Sequence, residues 1–454
     1  MTAFTSDAAG ALGGPDWLRA RRAQAGEQLE ELALPSEAEE IWRYSGIDRF
    51  DLDLFVPPSP EPGGGTDDLA AARQVADAVG PRAALVVSRG GTVVAVELGP
   101  GAPPGLVRVV GSGPMAESLG PDALGWDEPD KPDDAFAILH TALLGDVVLV
   151  ELPARTVLES PVVVVHLTAA GPGPGAPSAF PHTVVRLGTS AQAGVVEIQA
   201  TDATAGDDAA LVVPVTELHA GDDAQLAYAN LQVLGHGATC IGHQTSRVGR
   251  DASLRSLTVG LGGAYARVRT DSDLLAQGGR TTLLAAYLGT GEQVHDFRTL
   301  QDHHAPRTES ELLFTGAVAD ISRSVYSGLI RIRRGARRAD ARQTNNNLVL
   351  SEGAHADSVP NLDIDENDVR CSHASTVGPI DEEQRYYLES RGVEPAAAEQ
   401  LIVRGFFSDL VGRAPFPGVG RWVEQAVEER LAGRLPAEQA DEALSDTTPG
   451  QGRG

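Results

Sequence analysis

The sequence predicts a mainly β protein flanked by helical regions, and three observations carry that prediction. Between about Val147 and Val369 no long amphipathic helical pattern appears; short β-branched runs recur instead, separated by Gly, Asp or Asn turns. Glycine (51) and proline (29) are abundant among the 454 residues, which favours many turns and few long helices. Capped helical patterns then return beyond Asp381. A chain this long exceeds one ordinary core, so two or three domains are expected. Aromatic residues make up only 5%, so the core has to be built mainly from Val, Leu, Ile and Ala.

The first region spans 1–145. Residues 1–15 are small and Gly-rich and are expected to be disordered. A helix is expected from Asp16, with Leu18, Ala25, Leu29 and Leu32 on one face and Pro35 ending it. Ser36 and Glu39 form a capping-box pattern that starts a second helical piece carrying Trp42-Arg43-Tyr44-Ser45. Residues 57–65 (PPSPEPGGG) have the composition of a flexible linker, near 57–66. A short helix from Asp67, a hairpin of Ala83–Ser88 and Thr92–Leu98 around Arg89-Gly90-Gly91, and a helix over Asp133–Leu144 complete this region.

The core spans 146–379. Its strand-like runs are Val147–Leu152, Val162–His166, Thr183–Leu187, Gly194–Ile198, Gln225–Val233, Leu254–Val259, Thr282–Leu288, Leu312–Phe314 and Leu348–Leu350. Turns such as Gly221-Asp222-Asp223, Gly249-Arg250-Asp251 and Gln277-Gly278-Gly279 recur roughly every 28 residues, a spacing that suits the coils of a β-solenoid. A β-sandwich is the alternative, and would be unusually large. Asn345-Asn346-Asn347 fits either a solenoid turn with stacked Asn side chains or an ordinary left-handed turn. The third region, 380–435, is helical. Asp381 caps one helix, with Gln384 in its first turn and Gly392 past its end, and Pro395 opens the next. Ala398, Leu401, Ile402, Phe406 and Leu410 line one face of that helix; Val419, Trp422, Val423, Ala426, Val427 and Leu431 belong to a third. The acidic tail at 436–454 is expected to be disordered.

The net charge of −27 argues against nucleic acid or an anionic membrane as a partner. Two cysteines, Cys240 and Cys371, do not make a disulfide framework. The chain opens without a signal-peptide pattern and has no apolar run of spanning length, so a soluble cytoplasmic protein is expected. Phosphate-loop, nucleophile-elbow and His-Glu-x-x-His patterns are missing, which argues against a self-sufficient enzyme. Gly171–Gly175 is broken by proline, and Gly260–Ala264 is followed by no clear helix.

Three constellations carry chemistry. His295, His303 and His304 lie around Asp296 and Asp302, as a metal site or as a polar loop. Arg331, Arg333, Arg334, Arg337, Arg338 and Arg342 form either a solvated strand face, alternating with Ile330 and Ile332, or a docking surface for an acidic partner. In Cys371-Ser372-His373, a strand would put thiol and imidazole on one face, roughly 6.6 Å apart along the backbone. A thiolate and an imidazole suit zinc or iron–sulfur chemistry. Two ligands do not close a site, so the others would come from elsewhere in the chain or from another protein. The plainer alternative is a small buried thiol beside a turn histidine.

The blocks DHHAPRTES from Asp302, GAVADISRSVYSGLIRI from Gly316, and the stretch from Gln343 to Gly378 together resemble, in order and spacing, the SufB/SufD family of iron–sulfur cluster assembly proteins. Trp42-Arg43-Tyr44-Ser45 resembles the short aromatic motif near the start of the SufD branch. The SufB branch has a cysteine in the loop matching Ser351–His355, and a glutamate after the histidine matching His373. Here Glu352 and Ala374 stand in those places, so the resemblance is to the SufD branch. It implies a right-handed parallel β-helix core between an N-terminal α/β region and a C-terminal helical region. It also implies a non-catalytic subunit that pairs with SufB to form the cluster-building interface and docks the ATPase SufC, with a cysteine desulfurase system acting indirectly. An iron–sulfur cluster or iron would be held transiently and shared with SufB; ATP and Mg would enter only through SufC. His373 matches the family histidine proposed as a ligand at that interface, and Cys371 a nearby cysteine of lesser role. The helices from Asp381 to about Leu431 match the SufC-docking region, with Tyr387, Leu388, Leu401, Ile402, Phe406 and Leu410 as docking residues. No role carries over to His303, His304 or Glu352. The competing functions are a purely structural β-helix adaptor, a SufB-like scaffold holding a cluster alone, and a β-helix polysaccharide lyase; the absent signal pattern and the helical C-terminal region speak against the last.

Overall fold

At one corner of the molecule a single residue per coil sits in the left-handed region: Arg155, Ser190, Asp223, Asp251, Gly278, Arg307 and Arg338, all with φ between 53° and 76°. The N–H of each donates to the carbonyl just before the equivalent residue of the next coil. Ser190 donates to Asp222, Asp223 to Arg250, Asp251 to Gln277 and Arg307 to Arg337, at 2.7–3.0 Å. The expected turns at 221–223, 249–251 and 277–279 are thus successive steps of one stacked corner. The chain is a β-solenoid in which a coil takes 27 residues between Asp251 and Gly278 and 33 between Ser190 and Asp223.

This is a computed structural model; it describes residues 3–29, 31–59, 66–117, 119–121, 134–201 and 208–432. Most of the expected linker and the whole acidic tail at 436–454 lie outside the described residues. Each full coil gives one strand to each of two sheets. The ten-stranded sheet runs from the antiparallel hairpin Ala84–Arg89/Thr92–Leu98 through Val162–Thr168, Gln192–Thr201, Gln225–Val233, Ser253–Gly260, Arg280–Gly289, Glu309–Val318 and Asp340–Val349 to Arg370–Pro379. The main path of the twelve-stranded sheet runs from Val107–Val110 through Val147–Leu152, His182–Leu187, Val215–Ala220, Ala238–Val248, Tyr265–Leu274, Val294–His303 and Arg323–Ile332 to His355–Ile364. Coil-to-coil pairing is parallel throughout, which makes the core a parallel β-helix rather than a sandwich. The strands run on across the 145/146 boundary: Ala84–Arg89 pairs in parallel with Val162–Leu167.

Seven helices are described: α1 (Ser6–Gly10), α2 (Asp16–Leu29), α3 (Thr66–Val79), α4 (Ala135–Leu143), α5 (Glu382–Ser390), α6 (Pro395–Gly412) and α7 (Pro417–Ala432). Their placement explains why the two sheets differ. The ten-stranded sheet is apolar on its outer face. Its outer residues, among them Leu85, Val163, Ile198, Leu257 and Leu284, pack under Ala72 and Ala76 of α3, Val403 and Phe407 of α6, and Val423 of α7. The twelve-stranded sheet instead has a charged outer face, where Arg247, Asp273, Asp302, Arg331 and Asp363 stand in register across five strands.

Two N-terminal expectations change. Residues 3–15 are not an unstructured lead: Thr5 caps α1, and Phe4 and Ala9 are buried against α2 and α4. The capping-box segment makes only a 3-10 turn, Glu40–Trp42, although Ser36 N–H does donate to Glu39 Oε1 at 3.1 Å. What holds this segment is tertiary. Trp42 is 1% exposed, 5.5 Å from the Phe136 ring, with the Arg267 guanidinium 3.6 Å from its centroid. Arg267 also donates to the Ile41 carbonyl (3.0 Å) and Arg298 to that of Arg43 (2.7 Å), and both arginines are paired with the buried Asp296.

Candidate solenoid-end site

Every interior coil is covered by the next, but the last coil is not. His355–Ile364 and Arg370–Pro379 end their sheets and pair on one side only. Both strands are exposed along most of their length, and Val359, Leu362, Ile364 and Val377 are 36–45% exposed. Two unpaired backbone edges beside apolar side chains form a ready template for another chain.

Cys371 and His373 lie on the second of these strands, which meets the condition for their sharing a face. Cys371 is in register with Ala341 and His373 with Gln343, so both follow inward-facing side chains of the preceding coil. Cys371 is half-buried against the cluster of Ile330, Ile332, Ala336, Ala339 and Ala341. Burial, with the Asp340 carboxylate adding to it, pushes its thiol up. That disfavours the thiolate, the form that binds metal. His373 is exposed on the open end, where a neutral imidazole can offer a lone pair. The thiols themselves can be checked. Cys371 should react with iodoacetamide at neutral pH more slowly than a free thiol, because less of it is thiolate. Cys240, raised to about 12 by burial, should react only on unfolding. Reaction of Cys371 at the free-thiol rate would show that its packing is wrong.

Glu352 is exposed in the turn before His355, at the opposite corner of the last coil. It is separated from His373 by most of a strand, about 20 Å by strand rise. The histidines near Asp296 and Asp302 do not converge either, because 294–303 is a strand and not a loop. His295 and His303 are buried inside the solenoid, where burial lowers both to about 4. Asp296 and Asp302 occupy the opposite, outer face. There His304 Nε2 stands 3.5 Å from one carboxylate oxygen each of Asp273 and Asp302. Among the described residues these three are the group with metal-ligand spacing, but Asp302 is already held by two 2.9 Å hydrogen bonds from Arg333. Arg331 pairs with Asp363 and leaves Ile330 and Ile332 buried, the alternation expected of a half-solvated strand. Asn345-Asn346-Asn347 is not a turn. It lies on the strand Asp340–Val349, with Asn345 and Asn347 turned inward and hydrogen-bonded to the Tyr287 hydroxyl.

The predicted docking residues separate into two groups. Tyr387, Leu388, Leu401, Ile402 and Phe406 line one groove of about 940 Å³ between α5, α6 and the ends of the last two strands of the ten-stranded sheet, at Leu348 and Pro379. Tyr387 and Leu401 are 57% and 50% exposed. Leu410 is not in the groove: the buried face of α6 is Ala398, Val403, Phe407 and Leu410, so Leu410 holds the helix to the sheet and is closed to a partner. Among the described residues no helix is long and apolar enough to cross a membrane.

The model of the SUF system FeS cluster assembly SufBD core domain matches residues 168–406, which takes in most of the solenoid, the open end and the α5–α6 groove. An iron–sulfur cluster assembly SufBD family protein of Mycobacterium tuberculosis is 33% identical over 308 residues, 66% of this chain and 75% of that protein. The iron–sulfur cluster assembly protein SufD of Escherichia coli is 30% identical over 275 residues, covering 60% of this chain and 64% of its own. SufD of Bacillus subtilis is 26% identical over 294 residues, 64% and 66% of the two chains. With the family's core domain matched over more than half its length, the chain belongs to the SufBD family of iron–sulfur cluster assembly proteins.

Proposed function

We propose that this chain is the SufD-like, non-catalytic subunit of a SufBCD-type complex in the cytoplasm, and that its open solenoid end is the surface that meets SufB. The observation that carries the reading is the uncapped last coil. It combines two free strand edges, exposed apolar side chains and an exposed His373 that lacks enough companions to close a site. The cluster or iron is cargo, held between His373 and ligands that the partner supplies. An imidazole ligand in place of one thiolate suits a cluster meant to be passed on. Cys371 is the lesser candidate, because its thiol is half-buried and pushed up. The α5–α6 groove is the docking place for SufC, which brings ATP and Mg. Hydrolysis there would reach the open end through α6, since the groove is walled by Leu348 and Pro379 of the last two strands of the ten-stranded sheet. A cysteine desulfurase system would supply sulfur without touching this chain.

Co-purification of the chain with SufB and SufC, followed by iron and sulfide analysis, tests the reading. A stable complex that carries iron and sulfide is expected, whereas the chain alone should carry neither. Failure to associate with SufB would overturn it, and cluster retained by the isolated chain would make it a scaffold instead.

A further inference from the structure

Directly beneath His373 lies a buried acceptor with nothing to accept. Gln343 is the in-register neighbour of His373 on the adjacent parallel strand, about 4.8 Å away, so the two side chains stack on the same face. The Gln343 side chain is turned into the solenoid and is 1% exposed. Its Nε2 donates to the Tyr326 hydroxyl, which is 3.1 Å from Thr299 Oγ1. Its Oε1 is buried and without a hydrogen-bond partner among the described residues. The arrangement is tightly fitted: a Cβ at position 328 would collide with both the Gln343 amide and the Tyr326 ring, so Gly328 is what makes room for it. A buried acceptor left unpaired is costly, and buried side-chain acceptors are nearly always satisfied. A neutral imidazole carries one N–H and one lone pair, and a hydrogen bond to the first decides which nitrogen keeps the second.

We propose that Gln343 is a positioning residue for His373. Its Oε1 accepts one imidazole N–H and thereby fixes the tautomer and ring direction, so that the other nitrogen presents its lone pair outward from the open end. Thr299 and Tyr326 hold the Gln343 amide in place from behind. This is the outer-shell support that ligating histidines ordinarily have. The proposal rests on the reading of His373 as a ligand, but its test does not need a cluster.

The test is the ring ¹⁵N spectrum of the isolated full chain labelled on histidine, at about pH 8.5, where a free imidazole is neutral. The His373 signals are assigned by their loss in His373→Ala. The wild-type chain is expected to show one ring nitrogen at a protonated shift and the other at a lone-pair shift. In Gln343→Met, which keeps the length but removes the acceptor, the two shifts should move toward each other as tautomers average. Gln343→Glu, which keeps an acceptor oxygen, should restore the separation. Averaged shifts in the wild-type chain, or the same separation in Gln343→Met, would overturn the proposal. If His373→Ala instead leaves cluster yield intact while the tautomer is fixed, the ligand reading fails and the positioning contact stands.

Discussion

Asp296→Ala is expected to destabilise the fold by about 3–5 kcal/mol, the scale for removing one partner of a buried ion pair. Asp296 is fully buried and receives Arg267 on one side and Arg298 on the other. Without it, two guanidinium groups that are nearly as buried keep their charge and lose their counterion. They are also the groups that bind the carbonyls of Ile41 and Arg43 and, in the case of Arg267, cover the Trp42 ring. The loss should therefore be local first. Trypsin should cut at Arg43 and Arg49 in the variant under conditions that leave the wild-type chain intact, and the urea midpoint should fall. Asp296→Asn keeps the shape without the charge and should fall in between. An unchanged midpoint and an unchanged tryptic pattern would mean that Trp42-Arg43-Tyr44-Ser45 is held by something other than this arginine pair.

That clamp also shows where the sequence stops being informative. Several strands of the ten-stranded sheet were legible because they are buried on both faces. Val162–Thr168 reads as an apolar run whatever lies above or below it. The strands Ala238–Val248, Tyr265–Leu274 and Val294–His303 were not recognised, and of Arg323–Ile332 only the alternation at its end was. Their outer positions are charged and paired with the next coil, some 30 residues away, and several of their inner positions are polar as well. Gln301 bonds Ser310, and His303 bonds Thr308 and Ser310, inside the solenoid. No local pattern announces a strand that is polar on both faces. Asn345–Asn347 misled for the same reason, since the Tyr287 hydroxyl that satisfies Asn345 and Asn347 lies two coils back. On α6 the periodicity was seen but its face was set wrongly. Val403 and Phe407 face the sheet, and Leu401, assigned to the same stripe as Leu410, is turned outward. Of the end site, the shared face of Cys371 and His373 followed from their spacing once the segment was taken as a strand. The burial that separates a packed thiol from an exposed imidazole, and the Gln343 oxygen beneath it, depend on contacts with the preceding coil.

The second large effect is on cargo and not on stability. His373 is exposed on an edge strand and the one side-chain contact proposed for it is with Gln343, so His373→Ala should leave the fold and its association with SufB and SufC intact. Loss of an outer-shell partner already costs about 10–100-fold in metal affinity, so loss of a ligand should lower recovered iron and sulfide by about ten-fold or more. Cys371→Ala should change cluster yield far less, because its thiol is half-buried and pushed up.

The most direct test of the central claim is therefore iron and sulfide per complex for wild type and His373→Ala, each co-purified with SufB and SufC and sized in the same run. An intact variant complex with its cluster largely lost is the predicted result. An intact variant complex with wild-type iron and sulfide would contradict the claim, and would leave the open end of this solenoid as a structural interface alone.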